Sequence, residues 1–372
     1  MCALTEENER VMMKKVNLIR SVMEMDLEKM NLFDRIEPMI GRTPLLEIQF
    51  KFKGTKRRIF AKMESYNLTG NIKDRVAFYI MKKAYQEGSI HPGDKIVEAT
   101  SGNTGIAFSA LGSYLGHEVV IYMPDWMSSE RVNLMKSYGA NVRLVSREEG
   151  GFLGSIRMTE ELAEKGNVFL PRQFSNEDNT KAHYETTGPE IVAQLLELGL
   201  RADGFVAGVG TGGTVMGVGH ALKDSNPSCK AYPLEPLNSP TLSTGYKVGK
   251  HRIQGISDEF IPDLLKLPVL DEVVSVDDGD SIIMARMLSE RLGLGVGVSS
   301  GANFIGCVMK QEELGQDSVF VTTFADDNKK YLSTDYSEPQ EMKDTYITKE
   351  LELLSVTAHP CPSCQKSEHM DL

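Results

Sequence analysis

Hydrophobic positions change their period along this chain, and the change repeats. KIVEAT at 95–100 is a short β-rich run, and IAFSALGSYLG behind it carries apolar residues at helical spacing. EVVIYMP, SSERVNLMKSYG, NVRLVS and a helical stretch to Lys165 continue the alternation as far as NVFLPRQF. A second series runs from PEIVAQLLELG through GFVAGVG, KAYPLEP, VVSVDD and SIIMARMLSERLG to SVFVTTF. Strands separated by helix-length segments predict right-handed crossovers and a parallel sheet covered on both faces. Two such series predict two α/β domains with a cleft between them. Gly116, Gly139, Gly166, Gly199 and Gly293 fall where predicted helices close.

The two ends depart from this pattern. Residues 1–36 are charged and Met-rich, with Val11, Met12, Val16, Ile19 and Met23 at helical spacing, and predict an appended helix suited to a dimer arm. From Ser337 the chain turns polar and ends TAHPCPSCQKSEHMDL, which reads as a disordered tail. His359, Cys361, Cys364 and His369 form only a weak zinc pattern, a lone CxxC without a second knuckle, so no metal site is expected.

Composition narrows the classes. The chain has 372 residues, 41% hydrophobic and 25% charged, enough for one large or two medium domains. A formal net charge of -11 with only short basic runs argues against a nucleic-acid partner, which would need clustered Lys and Arg. Nothing in the sequence has the length and apolarity of a membrane span, and MCALTEENERVMMKK lacks the apolar core of a secretory signal. Five cysteines without framework spacing fit a reducing compartment, so the expected location is cytoplasmic.

Three loops and one lysine carry the candidate chemistry. In YNLTGNIKDRVAF, Lys73 opens a helix whose N-terminus disfavours a cation. Such a lysine is a surface residue, or one whose charged form is disfavoured as a Schiff-base lysine requires. EATSGNTG (98–105) joins a strand to a helix and puts Thr100, Ser101, Asn103 and Thr104 at the strand's carboxyl end, where it is a turn or a carboxylate site. GVGTGGT (208–214) places Gly210, Thr211, Gly212, Gly213 and Thr214 at a second such junction. It lacks the Lys-Ser/Thr ending of a nucleotide loop and the spacing of a dinucleotide fingerprint, and suits a monophosphate such as that of a vitamin B6 cofactor. In GVGVSSGAN (295–303), Ser299 reads locally as a helix N-cap.

NIKDR, TSGNTG, GTGGT and GVSSGAN, in that order, resemble the motifs of the cysteine synthase and cystathionine β-synthase family of pyridoxal-phosphate enzymes, the tryptophan synthase β or fold type II group. The resemblance runs from about residue 38 to 335. It implies two open α/β domains with twisted, mostly parallel sheets and pyridoxal 5'-phosphate between them. The expected division is an N-terminal extension (1–37), a smaller mobile domain (60–180), a larger domain (38–59 and 181–335) and a polar tail (336–372). By the same resemblance Lys73 would form the internal aldimine and shuttle the α-proton, and Asn103 would hold the cofactor's phenolic oxygen. Gly210, Thr211, Gly212, Gly213 and Thr214 would cradle the phosphate, and Ser299 would meet the pyridine nitrogen. Thr100, Ser101, Thr104 and Gln173 of PRQFSN would bind the substrate α-carboxylate. The implied reaction is β-elimination to an aminoacrylate followed by β-replacement or release, in a homodimer. Asn71 departs from the commoner serine two before the lysine, and neither a regulatory module nor a haem-binding element is expected.

One loop departs further. GISDEFIP (255–262) carries Ser257, Asp258 and Glu259 where plain sulfhydrylases resemble GIGAGFIP. A site built only to admit sulfide gains nothing from added negative charge. The expectation is a cysteine-degrading, sulfide-releasing reaction on a cysteine- or O-acetylserine-type amino acid, with Asp258 as base and thiol, sulfide or water as co-substrate. Diaminopropionate or cystathionine synthesis, or a silent cofactor-binding module, are the alternatives. The acids could also simply face solvent.

Overall fold

The computed structural model describes residue 12 and residues 30–362. In chain order its strands are β1 (Leu45–Phe52), β2 (Thr55–Met63), β3 (Lys95–Ala99), β4 (Val119–Pro124), β5 (Asn141–Val145), β6 (Val168–Phe169), β7 (Gly204–Gly208), β8 (Lys230–Pro236), β9 (Val274–Val276), β10 (Phe320–Phe324) and β11 (Leu351–His359). Its helices are α1 (Lys73–Glu87), α2 (Asn103–Leu115), α3 (Ser129–Ser137), α4 (Gly151–Ala163), α5 (Asp178–Ala182), α6 (Gly188–Glu197), α7 (Gly213–Ser225), α8 (Thr241–Thr244), α9 (Asp278–Leu292) and α10 (Val298–Leu314). The first apolar series builds a four-stranded parallel sheet, β5-β4-β3-β6, and the second belongs to a seven-stranded sheet, β11-β1-β2-β10-β7-β8-β9.

Side-chain alternation explains why the large sheet is buried on both faces. In β2, Ile59, Ala61 and Met63 enter one core while Phe60 enters another; in β7, Val206 takes the first side and Phe205 and Ala207 the second. Period-two alternation of apolar residues with helices on each face is what a central parallel strand requires. The small sheet supplies Ile96, Val119, Ile121 and Met123 to a third core, which α1 and α2 complete through Val76, Ile80, Ile106 and Leu111.

The structure revises the ends. The segment expected to be a disordered polar tail contains β11, which pairs antiparallel with β1 from Leu45↔His359 to Phe52↔Leu351. Being an edge strand, it buries one side only, and its polar alternates hid it in the composition. His359 Nε2 lies 3.1 Å from Glu47, and Cys361 is buried. Cys364 and His369 lie outside the described residues, as do Val11, Val16, Ile19 and Met23 of the expected N-terminal helix. Phe33, by contrast, is fully buried in the small core, edge-on to Phe78 and Tyr85. The large sheet also keeps β2 beyond residue 60, since Phe60–Met63 pair with β10. No helix among the described residues is long and apolar enough to cross a membrane.

A buried ion network joins the two sheets' layers. Arg75, in the first turn of α1, gives Nε and Nη2 to Glu64 at 2.7 and 2.9 Å and Nη1 and Nη2 to Glu190 at 2.7 and 2.8 Å. Lys62 Nζ lies 2.7 Å from Glu190 and donates to Gln194 at 2.8 Å. Burial pushes the Glu190 carboxyl up, but Arg75 and Lys62 outweigh it and bring it down to about 2. Burial alone would lower the Arg75 guanidinium, and the two glutamates more than reverse that. Two cations facing two carboxylates are tolerable out of water only as a complete set. Arg75→Met, which leaves two buried glutamates with one cation, is therefore expected to lower unfolding free energy by about 3–5 kcal/mol in urea titration.

Candidate active site

Loops at the carboxyl ends of the parallel strands converge on one cleft, lined by Lys73, Ser101, Asn103, Thr214, Asp258 and Ser299 among others. Lys73 is fixed there by its own turn. Asn71 Oδ1 accepts from Lys73 N at 2.9 Å, Asp74 accepts from Thr69 N and Oγ1 at 2.8 and 2.6 Å, and Ile72 N donates to Ala325 O at 2.8 Å. The last bond ties the start of α1 to the end of β10. Burial lowers the Lys73 ammonium to about 8, with Asp258 and Asp326 opposing the shift. An amine so placed exchanges its proton near neutrality.

The carboxylate loop and Gln173 form one unit. Thr104 Oγ1 donates to Gln173 Oε1 at 2.6 Å, Gln173 Nε2 donates to Ala99 O at 2.8 Å, and Thr100 Oγ1 accepts from Gly102 N at 3.2 Å. Gln173 N also donates to Glu98 at 3.3 Å. Burial pushes the Glu98 carboxyl up to about 8. Asn103 Nδ2 donates to Asp326 at 2.8 Å, while its Oδ1 is buried with no partner.

Opposite lies the glycine loop. Gly212 takes a φ of 86° at the N-cap of α7 and has no side chain to cap it; Gly213 N donates weakly to Thr211 Oγ1 at 3.4 Å, and the glycine-rich helix start is open to an anion. A Cβ on Gly210 would stand 2.6 Å from Gly255 O, and one on Gly213 would collide with Asn179 Oδ1. Asn179 Nδ2 braces Thr211 Oγ1 at 2.9 Å, and Thr214 Oγ1 lies 3.2 Å from His183 Nε2. Ser299 sits within the first turn of α10 rather than at its N-cap, which is Gly297. The local N-cap reading of Ser299 is thus corrected: its side chain lines the cleft.

GISDEFIP resolves into three fates. Ser257 holds a left-handed φ of 56°, unusual for a residue with a side chain. Its N donates to Val209 O at 2.7 Å, its Oγ lies 3.2 Å from both Ser239 O and Thr241 Oγ1, and its carbonyl accepts from His251 Nε2 at 3.0 Å. That anchorage turns Asp258 into the cleft. Loss of hydration pushes the Asp258 carboxyl up to about 6, with Lys247 and Lys73 opposing and Glu259 reinforcing the shift. Glu259 turns outward to Lys247 at 3.0 Å.

All the predicted residues therefore meet except Gly213, which is packed behind the loop against Asn179. Sequence reading missed Asp326, which accepts from Asn103 and from Tyr331 Oη at 2.5 Å. It follows the end of β10, and position after a parallel strand was the available signal. Arg131 and Gln254 also line the cleft, without any motif to mark them.

An open α/β cleft with a recessed lysine, a glycine-rich helix start and an orphaned asparagine oxygen defines a cofactor-dependent enzyme whose cofactor carries a phosphate. The family model described as "Pyridoxal-phosphate dependent enzyme" matches residues 36–326, and the chain belongs to that family. It is 41% identical over 298 residues to a probable cysteine synthase of Bacillus subtilis (strain 168), covering 80% of this chain and 95% of that one. A hydrogen sulfide-producing enzyme of Fusobacterium nucleatum is 60% identical, with a TM-score of 0.87 over 88% of this chain and 98% of that chain. An Asp-to-Asn variant of that enzyme has been crystallised with an α-aminoacrylate intermediate. A cysteine synthase of Entamoeba histolytica is 36% identical, with a TM-score of 0.75 over 84% of this chain and 93% of that chain. The chain is a pyridoxal-phosphate-dependent, cysteine synthase-like enzyme of β-elimination and β-replacement.

The anchorage of Ser257 is testable. Ser257→Gly, which loses two hydroxyl contacts but relieves the backbone, is expected within about 1 kcal/mol of the parent. Ser257→Val, β-branched at positive φ, is expected to cost about 1–3 kcal/mol, both read by reversible denaturant unfolding.

Proposed function

We propose that this enzyme consumes cysteine and releases sulfide, with Asp258 as the general base that readies the incoming nucleophile. The observation that carries this reading is a carboxyl with a pKa of about 6 lining the same cleft as the Lys73 amine, on a loop whose other acid faces away. The 60% identity to a hydrogen sulfide-producing enzyme supports the same direction.

The residues present fit pyridoxal 5'-phosphate: Lys73 as the attachment point, Gly210, Thr211, Gly212 and Thr214 for its phosphate, Asn103 beside its ring oxygen and Ser299 at its ring nitrogen. When bound, the cofactor supplies the electron sink that makes breaking the Cα–H and Cβ–S bonds feasible. Thr100, Ser101, Thr104 and Gln173 then hold the substrate's α-carboxylate through hydroxyls, amides and the Gln173 side chain. Lys73 takes the Cα proton, which its lowered pKa allows near neutrality. Sulfide departs with the Cβ–S bonding pair. Water or a thiol gives its proton to Asp258 as its oxygen or sulfur bonds to Cβ, and Lys73 returns a proton to Cα. With water the balance is cysteine plus water to serine plus hydrogen sulfide.

A second reading, synthesis of cysteine from O-acetylserine and sulfide, is favoured by the relatives named cysteine synthase. Purified holoenzyme given cysteine alone should release sulfide and serine catalytically; turnover only with O-acetylserine plus sulfide would overturn the degradative reading. Lys73→Ala should abolish both turnover and the visible absorption of the bound cofactor.

The pH dependence separates Asp258 from Lys73. Turnover should rise with pH near 8, where Lys73 loses the charge that keeps it from taking the Cα proton, and separately through about 6, below which Asp258 is protonated and cannot accept a proton. Asp258→Asn should cut steady-state turnover by about 10²–10⁴ and remove the lower of the two rises, while a single burst of sulfide survives. Unchanged sulfide and serine rates in Asp258→Asn would refute the base assignment.

A further inference from the structure

A separate cavity of about 240 Å³ lies behind the carboxylate loop, between the small sheet and the segment that follows Glu259. Of its lining residues only Phe174 also lines the cleft. Val97 of β3, Leu153 and Ile156 of α4, Leu170, Phe174 and Phe260 make the wall apolar, and Phe174 meets Phe260 edge-on with ring centroids 5.1 Å apart. Glu98 stands in that wall and is 5% exposed. A cavity of roughly 150 Å³ already admits benzene, so this one has room for an aromatic ring with a short substituent.

The charges around this space leave carboxyls over. Glu160 accepts from Arg172 Nε and Nη2 at 3.0 and 2.8 Å, so that pair is closed. Asp263 is exposed and has no cation at ion-pair distance among the described residues; Lys266 donates to its backbone carbonyl instead. Glu98 accepts only from backbone amides, Ala99 N at 2.9 Å and Gln173 N at 3.3 Å. Burial pushes its carboxyl up to about 8 against those amides and Arg172, with Glu160 reinforcing the shift. A carboxyl beside an apolar space is costly to ionise unless a cation reaches it. No side chain among the described residues supplies one, and the rings of Phe174 and Phe260 suit a cation brought in by a ligand.

We propose that this cavity binds a small organic amine, its apolar body packed against Ile156, Phe174 and Phe260 and its ammonium group paired with Glu98. A neutral molecule of the same shape gains the burial without the ion pair, and an anion meets two carboxyls. One bond ties the site to the cleft. Gln173 N rests on Glu98, and a Glu98 kept ionised by the ligand holds that amide more strongly than a neutral one does. Neither Asp258 nor the direction of the reaction enters into this binding.

The test titrates holoenzyme with N,N-dimethylbenzylamine, a tertiary amine that cannot condense with the cofactor, and with benzyl alcohol and benzoate, each followed by ligand-detected NMR. Near pH 8 the amine is expected to bind about tenfold more tightly than the alcohol, and benzoate not to bind. Because only ionised Glu98 pairs with an ammonium, affinity for the amine should rise with pH, approaching about tenfold per unit below about 8. Arg172, Glu160 and Asp263 also face the space, so Glu98→Gln decides which group is responsible: it should remove the pH dependence and bring the amine to the alcohol's affinity. Ile156→Trp, which fills the cavity and leaves Glu98 in place, should abolish binding of both, with the bound cofactor's absorption reporting an intact cleft in each variant. No binding of the amine, equal affinity for the three compounds, an amine affinity flat with pH, or binding unchanged in either variant would overturn the proposal.

Discussion

The site depends on how the start of α1 is held. Lys73 lies on a helix whose apolar face belongs to the small sheet's core, yet Thr214, Asp258 and Ser299 reach the cleft from the large sheet's side. A lysine carried only by the small unit would follow every displacement of that unit. Arg75, two residues on, opposes this by binding Glu64, directly after the interior strand β2, and Glu190 of α6. The Ile72–Ala325 hydrogen bond and the Asn71 bridge to Asp326 add backbone constraints on the same turn. Because Lys62, Glu64 and Arg75 are buried and Glu190 is only 13% exposed, the network has no partial state that is cheap. The amine is thereby registered to the sheet whose loops face it.

That registration lets a few charges act on one another. Lys73 is drawn down by burial and held up by Asp258 and Asp326, while Asp258 is drawn up by burial and held down partly by Lys73. Each stabilises the charged form of the other, so a Lys73 that loses its charge leaves Asp258 more ready to be protonated. Proton transfer at one side of the cleft therefore alters the basicity available at the other. Asp326 supports this arrangement through Asn103 and Tyr331 rather than by facing open solvent, being 1% exposed.

The repeated change of hydrophobic period was enough to read two mostly parallel sheets, because central strands bury both faces and leave little compositional ambiguity. β11 was not legible for the opposite reason, since Glu352, Ser355 and Thr357 alternate with its packed residues and resemble tail composition. Lys73, Asn103 and the glycine loop were legible because close backbone approach and helix starts restrict residue type. Arg131 and Asp326 carry no such restriction. Their placement follows from how α3 and the β10 loop pack across the cleft, a relation between segments about 200 residues apart that local pattern cannot encode.

GISDEFIP combines both kinds of information. Its two acids are adjacent in sequence and unlike in circumstance, because a left-handed Ser257 rotates the chain so that Asp258 enters the cleft while Glu259 meets Lys247 outside. In a loop of the Gly-Ala-Gly kind a glycine would adopt that conformation at no steric cost. Serine adopts it here under hydrogen bonds to Val209, Ser239 and Thr241 and one from His251. A left-handed, non-glycine residue costs on the order of 1 kcal/mol or more and persists only when its surroundings over-determine it. The same anchorage that offsets that cost also limits how Asp258 can turn. A carboxylate so directed is of more use to a reaction that must take a proton from its nucleophile than to one that admits sulfide already ionised.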